Sequence, residues 1–220
     1  MEPPRTVLFR CTYRSRNGYF TGTGEEVGTW LETKDYDYVI IQTGRDNTLG
    51  EGDNRGIYAA AKLARIAYER NPDVRIVIVA PYGHNATWPD TPEVTNHKDH
   101  VAMINKEALD TVEFIKDEVG AENIVMVSIG DVFEAYAETG DLADLFMADD
   151  GRETRINIGN RASTKGAYLT ACAIYAAATG NSPVGLSTLG EKDLNTNTDC
   201  SISVEDAAAL QALAAAVVLK

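Results

Sequence analysis

The sequence predicts an α/β fold: a parallel sheet with helices on both faces. Two observations carry the prediction. Short apolar runs rich in β-branched residues recur along the chain, as strands buried on both faces require. Between them lie segments with helical spacing, at the intervals of βαβ units. The chain has 220 residues with 44% hydrophobic and 24% charged. This is enough apolar material for one substantial core. With no linker, repeat or low-complexity stretch to divide it, the expectation is a single domain over residues 1–220.

The elements follow in order. Thr6–Cys11 reads as a first strand, and residues 12–28, with several Gly, Thr and Asn, as a long loop. Tyr38–Gln42 (YVIIQ) and Arg75–Ala80 (RIVIVA) are continuous apolar runs and read as buried strands. Asn54–Arg70 between them carries Ile57, Ala60, Ala61, Leu63, Ala64 and Ala67 at helical spacing and stops at Asn71-Pro72. Thr95–Val119 is a long amphipathic helix with Val101, Ile104, Ala108, Val112 and Ile115 on one stripe. Asn123–Val127 is a fourth strand, and Val132–Glu138 a short helix. Ser163–Ala178 and Ser203–Val218 are two Ala-rich helices, the second lying on the surface or packed. In such a fold, ligands bind at the carboxyl ends of the strands, so the loops after Cys11, Gln42, Ala80 and Val127 should form the site.

Charge narrows the partners. A net charge of −13 repels nucleic-acid phosphates and anionic lipid heads. The expectation is no nucleic acid, no membrane and no cofactor, with a small molecule or saccharide as ligand and the oligomeric state open. No apolar run reaches the roughly 20 residues that cross a bilayer. The N-terminus, Met1-Glu2-Pro3-Pro4-Arg5, lacks a secretory leader, so the chain is expected to be cytoplasmic, or secreted and trimmed. Three cysteines, Cys11, Cys172 and Cys200, have no metal-like spacing, and Cys172 reads as a buried free thiol.

The order of pieces resembles a known family. Tyr38–Asn47 (YVIIQTGRDN) resembles the third block of the SGNH/GDSL hydrolases, a buried strand ending in Gly-X-Asn-Asp. Met126–Phe133 (MVSIGDVF) resembles the strand and turn before the family's last block. Ser163–Ala171 (STKGAYLTA), with Tyr175 and Asn181–Gly185 (NSPVG), is similar to the helix after the family's Asp-X-X-His motif. Leu8-Phe9 with Asn17-Gly18 is similar to the first block, which in the family carries Gly-Asp-Ser or Gly-Asn-Ser. The resemblance implies a three-layer, flavodoxin-like sandwich of the SGNH type. It also implies a serine-type esterase acting on an acyl or acetyl ester, plausibly on a carbohydrate.

In the family a Ser attacks the ester carbonyl, a His takes its proton, an Asp orients the His, and backbone amides with an Asn hold the oxyanion. Here the blocks depart from that pattern. Arg161 stands where the family His falls, and it stays protonated and cannot act as a base. Ile158 stands near the position of the family Asp. Asp46-Asn47 reverses the usual Asn-Asp order, so Gly44, Arg45, Asp46 and Asn47 with Arg161 form an altered oxyanion or ligand-binding set. The first block lacks its serine triplet, leaving Cys11, Thr12 and Ser15 as candidate nucleophiles. His84 in Pro81-Tyr82-Gly83-His84 is a candidate substitute base, against a structural or surface reading. Asp149-Asp150-Gly151 resembles the acidic stretch before the family His, against an exposed acidic turn. The competing reading is an inactive SGNH-fold module that binds an anionic or sugar ligand.

Other constellations carry less. His97 and His100 flank Asp99 and read as surface residues of a first helical turn rather than metal ligands, and no metal is expected. Thr21-Gly22-Thr23-Gly24 lacks the context of a phosphate loop. Arg10, Arg14, Arg16, Arg45, Arg55 and Arg161 all fall in or beside the expected strand-end loops. They would make a basic pocket for carboxylate, sulfate or phosphate, or pair with the chain's many carboxylates.

Overall fold

Four parallel strands form one sheet in sequential order: β1 (Thr6–Arg10), β2 (Tyr38–Gln42), β3 (Arg75–Ala80) and β4 (Ile124–Ser128). The computed structural model describes residues 6–10, 31–42, 55–83, 96–146, 162–187 and 202–220, with backbone alone for 6–10. Among the described residues there are five α-helices: α1 (Arg55–Arg70) and α2 (His97–Val119) join strands, and α3 (Ile129–Ala137), α4 (Thr164–Thr179) and α5 (Val204–Val218) follow β4. The chain divides into two compact units: Met1–Pro81 with Met103–Ser128, and Tyr82–Ala102 with Ile129–Lys220.

The first unit holds the sheet. Val39, Ile41, Ile76 and Ile78 alternate onto one face and join a core with Ala60, Ala64 and Ala67 of α1 and Ile104, Ala108, Val112 and Ile115 of α2. Alanine at the contact positions lets a helix backbone lie close to the sheet. Ile40, Val77 and Val79 alternate to the opposite face and are also buried, as the unbroken apolar runs require. Crossovers of one hand between strands in sequential order bring α1 and α2 to the same face, which is where the core has them. α1 ends where Asn71-Pro72 predicts. The Asn71 amide donates from Nδ2 to the Tyr36 carbonyl at 2.8 Å, tying the helix end to the chain entering β2. α2 ends at Gly120, whose φ of 73° suits the left-handed residue after a helix.

The helix expected from Thr95 starts at His97, because Asn96 caps it: its Oδ1 accepts from the Asp99 amide at 3.0 Å. His97 and His100, expected on the surface, are 7% and 4% exposed. The physical reason is the stripe itself. Steps of three and four lead back from Ile104 through Val101 and His100 to His97, so the inward face of α2 continues through both rings.

The second unit is helical. The short helix expected from Val132 begins three residues earlier, at Ile129, and no loop follows β4. Ile129, Val132 and Phe133 share the buried face, and Gly130 lies where a Cβ would stand 2.5 Å from Val101 Cγ2. That glycine serves close packing against the first turns of α2 rather than a turn. A 3-10 helix, Leu142–Leu145, is capped by Asp141, and Phe146 then pairs with Ala162 in an isolated antiparallel bridge. Ser163 and Ser203 cap α4 and α5, their hydroxyls accepting from the amides of Gly166 and Asp206. The buried faces of the two helices carry Leu169, Cys172, Ala173 and Ala176 on α4 and Ala207, Leu210 and Ala214 on α5. α5 is therefore a packing helix.

Lys165 Nζ lies 3.1 Å from Asp206 Oδ1, linking α4 to α5. The Lys165 ammonium, with Ser203 adding to it, holds the Asp206 carboxyl below the usual carboxylate range. A depressed folded value means that the stabilisation is present at neutral pH and is lost as pH falls through that value. Asp206→Asn is therefore expected to lower the melting temperature slightly at pH 7, with the gap to the unaltered protein closing as pH falls through the carboxylate range. Thermal melts across that range check the sign.

Cys172 is a buried free thiol, as expected. Burial pushes its thiol up in pKa, against a smaller opposing effect of a hydrogen bond from Tyr168. Alkylation of Cys172 by iodoacetamide is expected to be slow in the native protein and fast in urea, read from the modified peptide by mass spectrometry.

Candidate functional site

In the sheet unit the strand ends stand level. Arg10 pairs with Gln42, Gln42 with Val79, and Val79 with Val127. The chain leaves all four strands at one edge of the sheet, the edge where ligands of such folds bind. The next residues in sequence after Arg10 and Gln42 run into the segments that hold the expected nucleophiles and oxyanion residues. Those residues themselves, Cys11, Thr12, Ser15, Gly44, Arg45, Asp46 and Asn47, lie outside the described residues. So do His84, Arg161 and the Asp149-Asp150-Gly151 stretch. The basic pocket falls outside too, since Arg14 and Arg16 are not described and Arg10 and Arg55 have no described side chain.

In the helical unit the structure assembles a cluster that the motifs did not single out. Tyr82 and Phe133 stack with ring centres 4.9 Å apart and planes 6° from parallel. Phe146 meets both rings edge-on, at 5.5 Å from Tyr82 and 5.7 Å from Phe133. The Tyr82 hydroxyl accepts from the Ala162 amide at 2.9 Å, and Ser163 N donates to the Leu145 carbonyl at 2.9 Å. The cluster thus pins the chain one residue after Arg161, the position that the resemblance assigns to the base.

His97 belongs to this cluster. Its ring lies edge-on to Phe146, centre to centre 6.0 Å. Nδ1 is hydrogen-bonded to Glu134 Oε1, and the Glu134 side chain is 32% exposed. A carboxylate can only accept, so His97 Nδ1 is the donor of this hydrogen bond. Nε2 is buried and has no hydrogen-bond partner among the described residues. His97 lies on the backward extension of the α2 stripe and Glu134 follows Phe133 on α3, but no sequence signal couples two positions 37 apart. No His, Cys, Asp and Glu group among the described residues has the geometry of a metal site. No described helix is long and apolar enough to cross a membrane.

The chain matches no protein-family model, no curated protein and no solved structure.

Proposed function

We propose that the chain is a relative of the SGNH-type ester hydrolases, acting on an acyl or acetyl ester, with a saccharide as the carrier of that ester. The level strand ends carry the reading. They release β1 and β2 at one edge, directly before the segments Cys11–Ser15 and Gly44–Asn47. Two features of the last block add support. The helix of the Gly-X-Tyr-Leu pattern begins at Thr164, capped by Ser163, and its Gly166 packs where no Cβ fits, 2.2 Å from the Leu145 carbonyl oxygen.

In this reading a hydroxyl or thiol among Cys11, Thr12 and Ser15 attacks the ester carbonyl. The amides around Gly44 with the Asn47 side chain accept the oxyanion. An intact family base is lacking at Arg161. That substitution favours the second reading, a binding module of the same fold for an anionic or sugar ligand, with Arg161 holding an anion.

Turnover of p-nitrophenyl acetate separates the two readings. The hydrolase reading expects release of p-nitrophenol above buffer, reduced at least about 100-fold in one of Cys11→Ala, Thr12→Val or Ser15→Ala. No turnover in the unaltered protein, with binding of an acidic sugar in calorimetry, supports the module instead.

A further inference from the structure

We propose that two copies of this chain pair through the outer face of α5, helix against helix, antiparallel about a two-fold axis. The inference is independent of the ester reading and concerns a surface of the helical unit alone.

First, α5 is apolar on every side. No side chain from Ala207 to Leu219 is charged. Ala208, Ala209, Ala212 and Ala216 face outward, opposite the side that packs. The one polar side chain in that stretch, Gln211, is turned inward. Its amide donates to the Tyr168 hydroxyl at 2.6 Å and to the Leu186 carbonyl at 2.9 Å. A surface helix ordinarily carries charge on its outer face, as α1 does with Lys62 and Arg65 and α2 with Lys106 and Glu113. A helix that is apolar all round is a buried helix, so the outer face of α5 lacks its cover.

Second, the turn beside α5 extends the apolar surface. Gln211 Oε1 accepts from the Gly185 amide at 2.9 Å, which fastens the Pro183–Leu186 turn to the helix. The turn is closed by the Leu186 amide donating to the Pro183 carbonyl at 3.1 Å, with Gly185 at a φ of 89°. It holds Val184 outward, 58% exposed. Of the six large hydrophobic side chains exposed among the described residues, four lie on α5, its cap or this turn: Val184, Leu186, Val204 and Leu219. Apolar exposure gathered in this way marks a contact surface.

Third, charge selects the occupant. Each copy carries a net charge of −13, so two copies repel wherever their charged surfaces would meet. The α5 face escapes this repulsion. It is uncharged along its length and ends in opposite signs, with Glu205 in the first turn and Lys220 just past the Leu219 cap. Asp206, the other acid of that turn, is paired with Lys165. A two-fold axis between Ala212 and Leu213 is equally far along the chain from both ends. It sets Glu205 opposite the partner's Lys220, twice, and Ala209 opposite the partner's Ala216. A parallel pair would instead set Glu205 against the partner's Glu205. Steps of three and four through Ala209, Ala212 and Ala216 make a seam without bulk, which lets the helix axes approach to about 8 Å. The face thus complements itself, as an isologous contact must.

Sedimentation velocity of the full chain from about 1 µM to about 1 mM spans weak specific association, and a dimer is expected within it. Ala212→Glu, at an exposed helical position, should keep the circular dichroism of the unaltered protein. It should raise the dimer Kd at least about 100-fold, because two carboxylates then meet at the axis. Glu205→Lys and Lys220→Glu should each weaken the dimer about 10-fold, and the double variant, with the charges exchanged, should recover it to within about 3-fold. A dimer that Ala212→Glu leaves intact overturns the inference, as does a double variant that fails to recover. So does a monomer at every concentration, whether the face then proves to bind phosphatidylcholine vesicles or another segment of the same chain.

Discussion

Phe133→Ala is expected to destabilise the protein by about 3–5 kcal/mol, the range for removing a fully buried aromatic ring. Phe133 has no exposed surface and stands at the centre of the cluster in the helical unit. Its ring stacks on Tyr82 and meets Phe146 edge-on, so truncation removes both ring contacts as well as apolar burial. The residues around it cannot close the gap easily. Tyr82 is held by the Ala162 amide, and Phe146 by its bridge to Ala162. Urea denaturation followed by circular dichroism should show the midpoint falling accordingly. Phe133→Leu, which keeps most of the volume, is expected to lose less than half as much.

Gly166→Ala is expected to cost about 3 kcal/mol, at the upper end of ordinary overpacking. A Cβ on Gly166 would stand 2.2 Å from the Leu145 carbonyl oxygen, 3.1 Å from its carbon and 3.2 Å from Phe133 Cζ. The nearest neighbour is backbone and cannot rotate away. The Leu145 carbonyl is fixed by the Ser163 amide, and Ser163 in turn caps α4, so a shift would disturb the helix start. Alanine would otherwise favour the helix by about 1 kcal/mol over glycine, so a net loss in urea denaturation isolates the steric term. Gly180→Ala makes the contrast. Nothing lies within 4 Å of its missing Cβ, and its cost comes from a φ of 69° alone.

Most of the fold is legible in the sequence because its signals are local. The runs YVIIQ and RIVIVA become β2 and β3, with alternate residues buried on opposite faces. Asn71-Pro72 ends α1, and the serines before α4 and α5 cap them where a capping residue should stand. The errors have a common source in tertiary context. The expected start of α3 at Val132 leaves out Gly130, which sits inside the helix where Val101 packs against it. A histidine counts as polar in a periodicity reading, so the α2 stripe is cut at Val101, although burial runs on through His100 and His97.

The candidate site is legible in a different degree. The motifs of the resemblance point to segments that follow β1 and β2 in sequence, and the four strands end level at that edge of the sheet. The identities of nucleophile and oxyanion residues rest on Cys11, Thr12, Ser15 and Gly44–Asn47, outside the described residues. The His97–Glu134 pair was not legible, because its partners lie 37 positions apart and neither belongs to a motif. Only the packing of α2 and α3 against the aromatic rings brings them together.

The most direct test of the account is labelling of the purified protein by a fluorophosphonate probe, with the adduct located by mass spectrometry. The account predicts a single adduct on Thr12 or Ser15, the hydroxyls of the segment that follows β1. An unlabelled protein, or an adduct outside residues 11–15, would contradict it.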